Sequence, residues 1–483
     1  MALNRYLFAG ILLLTFITLN AQQTGNGWCG YTGKSAWLTW YQQHQNQIVT
    51  NRDLDTSTLY VPVTVHIIAD DNGAGGYSTS NAIRAVCEMN DHYQKAHIHF
   101  FLVPGDPFRY VSKSSWFKHD WTGGSEMIND PANKLPGRLN AYVVADPAGN
   151  CGYSWQDAIV LGSNCSGAGN STWSHEAGHH LSLPHPFLGW EGFTWDYAKP
   201  APAVVNGRGV EKTDGSNCHD AGDGFCDTPP DYLNYRWDCG ADDHSTIQEK
   251  DPDSIAFHSD ASLIMGYALD ACANRFTTEQ IAAMRANLNS EHAIYSQTAP
   301  SFVEIPDDAV VIPVSPVGNQ TVQFNNITMT WNPIPDATIY AVEVGLYPNF
   351  SPILFSQTLI NQVGPGQMSV TITKPMPNNR TLYWRVHPYN EWDICQPIDT
   401  FITGVFRTQN LLATNELEKV LTAELAPNPV ASGMPAILSI VSDEGLEGTL
   451  YVADMSGKKY TQVSYRITPG DNQIEIPTTD LAA

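Results

Sequence analysis

The sequence predicts an α/β (α+β) unit with an open, mostly-β sheet and a short histidine-rich helix, followed by two all-β, sandwich-like units. Three observations point there. Before residue 190, apolar alternation and helical periodicity take turns along the chain, the order expected of strands and helices in one open sheet. From about 186 to 260 the chain becomes rich in Gly, Asp, Pro, Trp and Cys, a composition suited to disulfides and bound ions rather than to a core. Beyond 300, short alternating runs separated by turn residues replace helical patterns.

Residues 1–21 carry Arg5, an apolar run from Leu7 to Leu19 and Ala21, the order of a cleaved secretory signal. That run is too short to span a bilayer, and no later stretch reads as a membrane helix. A short prosegment is expected over 22–58. LYVPVTVHII (59–68) nearly alternates and reads as a strand; 80–94 reads as the helix after it. IHFFLV (98–103) and LNAYVV (139–144) read as further strands, and 280–289 as a helix closing a unit that spans 59–299.

SFVEIPDDAVVIPVSP (301–316) reads as a linker. ITMTW (327–331), TIYAVEV (338–344) and LYWRV (382–386) alternate, which places Leu382, Trp384 and Val386 on one face. This stretch, over 300–410, resembles a fibronectin type III sandwich. APNPV (426–430) and LYVADMSGKKY (450–460), within a last segment over 411–483, resemble the C-terminal sorting domain of type IX secretion in the Bacteroidetes. The chain ends at Ala483, ahead of the closing strand and basic end that such domains carry, so the resemblance implies a partial sorting domain.

The 49 acidic against 25 basic residues give a strongly anionic chain, which argues against nucleic acid and anionic membrane surfaces as partners. Calcium is the divalent ion such carboxylates would bind outside the cell. The 9 cysteines suit disulfides in an oxidising compartment, and an odd count leaves at least one outside them.

HEAGHHLSLPH (175–185) holds H-E-x-x-H and a third histidine six residues on. Positions four apart share a helix face, so His175 and His179 can reach one zinc ion at about 2.0–2.1 Å. Pro184 ends the helix, and a sharp turn there can return His185 as a third ligand, leaving an open position of the catalytic kind. Glu176 is then placed to act as general base toward a water that zinc acidifies. Chance gives H-E-x-x-H in about one or two such chains per hundred, and the third histidine makes coincidence rarer still. His180 lies outside the pattern and reads as a packed or exposed side chain.

The motif resembles the metzincin clan, and three further segments are similar to the pappalysin-like family of zinc metallopeptidases. LIMGYALDACANRFTTEQ (263–280) is similar to the family's methionine turn, which implies Met265 beneath the zinc and Tyr267 as a transition-state stabiliser. GDGFCDTPPD (222–231) looks like its calcium loop, implying Asp223, Asp227 and Thr228 as oxygen ligands, with the carbonyls of Gly222 and Cys226 as further candidates. Cys239 and Cys272 could then clamp this loop to the methionine turn. WCG (28–30) is similar to a C-G motif near the start of bacterial members, so Cys29 is either a zymogen switch occupying the fourth zinc position or a disulfide partner. One position departs from the clan: Ser182 stands where glycine is usual, and a positive φ there costs a non-glycine residue about 1–2 kcal/mol.

The resulting expectation is a secreted or cell-surface zinc endopeptidase, monomeric, acting on proteins or peptides, without membrane insertion. Two other classes share its ligands: a catalytically silent surface binding protein and a zinc amidase on a non-peptide substrate. A pure binder needs neither Glu176 nor Tyr267, and the methionine turn favours a peptidase.

Overall fold

A computed structural model of the 483-residue chain describes residues 29–30, 33–48, 57–295, 303–306, 309–360, 362, 364, 366–395, 402–410, 420–426, 434–453 and 459–478. The expected signal, most of the linker at 411–424 and the APNPV opening after Ala426 lie outside these residues.

Strand β1 (Leu59–Ala69) is the centre of the main sheet, with β2 (Ile98–Leu102), β3 (Phe108–Ser112) and β4 (Leu139–Val144) all parallel to it. Past β4 come the edge strand β5 (Gly152–Trp155) and its antiparallel neighbour β6 (Ala158–Gly162), in the order β2-β1-β4-β6-β5. The sheet is mixed, and only its edge strand runs backward. The near-alternation in β1 suggests one wet face, yet Thr64 and His66 are as buried as Val63 and Val65. A small second core of Trp116, Met127, Ile128, Tyr142 and Val144 covers that face. The polar side chains survive there because each has a partner: Thr64 donates to the Asp106 carbonyl at 2.8 Å, and His66 Nε2 lies 3.1 Å from Asn140 Oδ1.

The other face carries the main core. Helix α1 (Ala36–Ile48) contributes Leu38 and Tyr41, and α2 (Thr79–Tyr93) contributes Ala82, Ile83, Val86 and Met89, which recur at helical spacing. Helix α3 (Thr172–His180) lies against α2, where the Tyr93 hydroxyl donates to the Ser174 carbonyl at 3.0 Å. Helix α4 (Thr278–Leu288) starts on a capping box between Thr277 and Gln280, satisfying two otherwise orphaned N–H groups.

Beyond 309 a three-stranded and a five-stranded sheet face each other around Trp331, Tyr340, Leu382, Trp384 and Phe406. This sandwich is not separate from the first unit. Ile339, Ala341, Tyr389 and Ile394 join the main core, Cys87 on α2 is bonded to Cys395, and Arg84 on α2 meets buried Glu343 at 3.0 Å. The last segment holds a three-stranded and a two-stranded antiparallel sheet with a small apolar cluster of Ile440, Ile467 and Ile474. Among the described residues no helix is long and apolar enough to cross a membrane.

Candidate metal centre

Helix α3 ends in a Schellman turn, in which Leu183 N donates to Gly178 O and Ser182 N to His179 O, each at 2.9 Å. The first residue past the cap in such a turn must be left-handed, and Ser182 is, with φ 74°. Its hydroxyl accepts from Asn287 Nδ2 at 3.1 Å, tying the strained turn to α4. That turn carries Leu183, Pro184 and His185 back over the helix face bearing His175 and His179.

All three histidines are buried, and their Nε2 atoms converge: His179 lies 3.0 Å from His175 and 3.1 Å from His185. Two of the outward nitrogens face backbone carbonyls, His175 Nδ1 toward Ile264 O and His179 Nδ1 toward Leu183 O, both at 2.7 Å. A carbonyl can only accept, so those Nδ1 atoms carry the protons and the Nε2 atoms present lone pairs to one another. Lone pairs 3.0 Å apart repel unless a cation sits among them. Burial holds all three imidazoles below the usual histidine range, reinforced at His175 and His179 by neighbouring histidine charge. Neutral imidazoles are what a zinc ion requires. The donor set therefore fits the metal, with Cys29 as a fourth: its sulfur and the three imidazole nitrogens all lie within 4.8 Å of one another.

Cys29 reaches this place because Gly30 N donates to Gly152 O at 2.9 Å, a parallel bridge onto edge strand β5. The other eight cysteines pair as Cys87–Cys395, Cys151–Cys165, Cys218–Cys226 and Cys239–Cys272. The last pair joins the loop after residue 231 to the segment following Met265.

Glu176 is fully buried beside the cluster, and burial pushes its carboxyl up to about 8, opposed by a hydrogen bond to the Cys29 thiol. A Cβ at Gly152 would stand 2.7 Å from its Oε1, so glycine there makes room for the carboxylate. Met265 lies directly beneath α3, where any side chain at Gly178 would collide with its Sδ. Tyr267 stacks its ring edge against His185 at 4.9 Å and donates to the Cys29 carbonyl at 3.4 Å. His180 faces away, 2.9 Å from the Tyr295 hydroxyl and stacked on His292.

A second group lies in the 222–231 loop. Asp223 and Thr228 are buried, and no hydrogen bond satisfies Asp223 Oδ2 or the Thr228 hydroxyl among the described residues. The Glu211 carboxylate occupies the space a side chain at Gly222 would need. Burial pushes Asp223 up to about 8 and Glu211 up to about 9, the latter helped by the charge of Asp223. Carboxylate and hydroxyl oxygens such as these are the donor type that calcium takes. Asp227 is turned elsewhere: it is exposed, and its carboxylate accepts from Glu279 N at 2.8 Å in the first turn of α4, where a negative charge suits the helix dipole. The Cys226 N–H answers by donating to Glu279 Oε2 at 2.8 Å.

Sequence reasoning missed Glu211, Glu191, Arg236 and Asp270. Asp270 Oδ1 accepts from Ser171 N and Oγ at the start of α3, at 3.0 and 2.7 Å, and its Oδ2 meets Arg236 Nη2 at 2.9 Å. Asp270 stands five residues after Met265, and its acidic side chain in that segment is the one signal the sequence offers for it.

No family model matches the chain, and no curated protein matches it. Among solved structures, it is similar to mature mirolysin of Tannerella forsythia in complex with a cleaved peptide, at 17% identity over 50% of this chain and 97% of that one, with a TM-score of 0.37. A promirolysin mutant of the same organism matches at 17% identity over 56% and 97%, with a TM-score of 0.40. OgpA from Akkermansia muciniphila matches at 11% identity over 75% and 97%, with a TM-score of 0.24. Likenesses of this size assign no activity.

Proposed function

We propose that this chain is a secreted zinc-dependent endopeptidase, acting as a monomer on protein or peptide substrates and held latent by Cys29. The observation that carries the proposal is the convergence of three buried imidazoles through their Nε2 atoms with one buried carboxylate and one buried phenol. In this reading residues 1–21 are the signal, 22–58 the prosegment, 59–299 a metzincin-type catalytic unit of the pappalysin-like kind, 300–410 a fibronectin-like sandwich and 411–483 a segment that resembles a sorting domain.

His175, His179 and His185 would hold zinc, whose chemistry is to polarise the scissile carbonyl and acidify a water. Glu176 accepts the proton of that water, a task to which a carboxyl raised by burial is suited. Tyr267 donates to the substrate carbonyl oxygen as charge develops on it, once the Cys29 carbonyl has left its hydroxyl. Met265 supports the ligand helix from below. Glu211, Asp223 and Thr228 would hold calcium, with backbone carbonyls of the loop completing the shell.

The test is cleavage of denatured casein by the chain from residue 22 onward carrying Cys29→Ala, with zinc and calcium present. Hydrolysis abolished both by Glu176→Ala and by a chelator is the expected result. Bound zinc without hydrolysis would overturn the peptidase, and equal activity with Cys29 intact would remove its latency role.

A further inference from the structure

The three histidines are not anchored alike. His175 and His179 rest their Nδ1 atoms on neutral backbone carbonyls, whereas His185 Nδ1 faces a carboxylate, Glu191 Oε1, at 3.5 Å. Glu191 is largely buried, its side chain 16% exposed, so its charge acts through little water. The other oxygen is fixed, since Glu191 Oε2 accepts from Gly189 N at 2.7 Å. The turn that sets this up needs Gly189, with φ 105°, and is braced by Asn206, whose Nδ2 donates to Gly189 O at 2.9 Å and to Glu191 O at 3.2 Å. The His185 ring is also stacked on Phe187 at 4.5 Å and met edge-on by Tyr267.

We propose that Glu191 is a positioning residue for the third imidazole: its carboxylate keeps the His185 proton on Nδ1 and the ring aimed so that Nε2 faces His179. His185 needs such a partner more than the other two do. It is the ligand outside the helix, reached through a turn whose pivot is a strained serine. A carboxylate also makes the imidazole a stronger donor than a carbonyl does, so Glu191 strengthens metal binding at the ligand that the helix does not carry.

This rests on the metal-centre reading above, and the experiment separates the two. Zinc affinity of the full chain is measured by competition with a chromogenic chelator for the wild type, Glu191→Ala and Glu191→Gln, together with urea stability of each in the metal-free state. Zinc binding weakened about 10–100-fold by Glu191→Ala and less by Glu191→Gln, with metal-free stability unchanged, is expected. Equal zinc affinity in the variants overturns the inference, as does a metal-free stability loss as large as the loss of binding. Should Glu191→Ala fail to fold, Glu191→Gln alone decides between these outcomes. A wild-type chain that does not bind zinc overturns the metal centre itself.

Discussion

Ser182→Gly tests the turn on which the third histidine depends. Relief of the left-handed backbone at φ 74° is worth about 1–2 kcal/mol. Against it, glycine adds unfolded-state freedom worth about 0.4–1 kcal/mol. The larger opposing effect is at Asn287, only 1% exposed, whose Nδ2 loses its 3.1 Å bond to the Ser182 hydroxyl. Leaving that amide without a partner costs about 1–3 kcal/mol, so the net change is a loss of about 1 kcal/mol. The sequence alone suggests that restoring the usual glycine would be harmless or helpful; the structure makes it destabilising while the geometry of the turn, and so activity per folded molecule, is kept. Urea denaturation of wild type, Ser182→Gly, Asn287→Ala and the double variant gives the answer. In the Asn287→Ala background, Ser182→Gly should gain about 1 kcal/mol, because only the strain and entropy effects remain. A Ser182→Gly chain more stable than wild type would refute the role given to Asn287, and lost zinc affinity would show the turn itself to be misplaced.

Three further outcomes are expected. Gly152→Ala should force Glu176 from its place, because the new Cβ would stand 2.7 Å from Oε1; hydrolysis should fall about 100-fold or more while bound zinc, measured by metal analysis, stays stoichiometric. His66, its imidazole pushed down to about 4 by burial, should make stability pH-dependent: the folded pKa lies below the unfolded one, so its contribution is whole above pH 6.5 and is lost as pH falls from 6.5 toward 4, by about 2 kcal/mol at pH 5. Denaturation at pH 7 and pH 5 should show that slope reduced in His66→Gln. A chain ending at residue 300 should lose several kcal/mol of stability, since it lacks Cys395, Glu343 and the four sandwich residues of the main core; a melting temperature equal to that of the full chain would show that the two units are independent.

The parts of this molecule legible in its sequence are those written at short range. Four-residue spacing puts His175 and His179 on one face, and alternation finds β1, β4 and the Leu382–Trp384–Val386 face. The positive φ at Ser182 was legible too, from the glycine it replaces. What escaped reading depends on loop closure. Glu211 reaches Asp223 across an irregular turn with no periodicity to betray it, Asp270 meets Ser171 from 99 residues away, and Glu191 sits in a stretch whose composition suggests disulfides and ions in place of a core, whereas Phe187, Trp190, Tyr232, Leu233 and Trp237 bury together there in a core of their own. The burial of Thr64 and His66 is hidden for the same reason, because the layer that covers them comes from later in the chain.

The Cys87–Cys395 bond spans 308 residues, and the other three disulfides fall wholly inside that span. A peptide-bond break anywhere between those two cysteines therefore leaves both fragments covalently joined. On a gel without reductant, a chain nicked once in the 186–260 stretch would run as one band, and self-digestion would go unseen. A single cut releases mass only before Cys87 or after Cys395, so loss of the segment bearing Cys29 would be visible under conditions in which one internal nick is not.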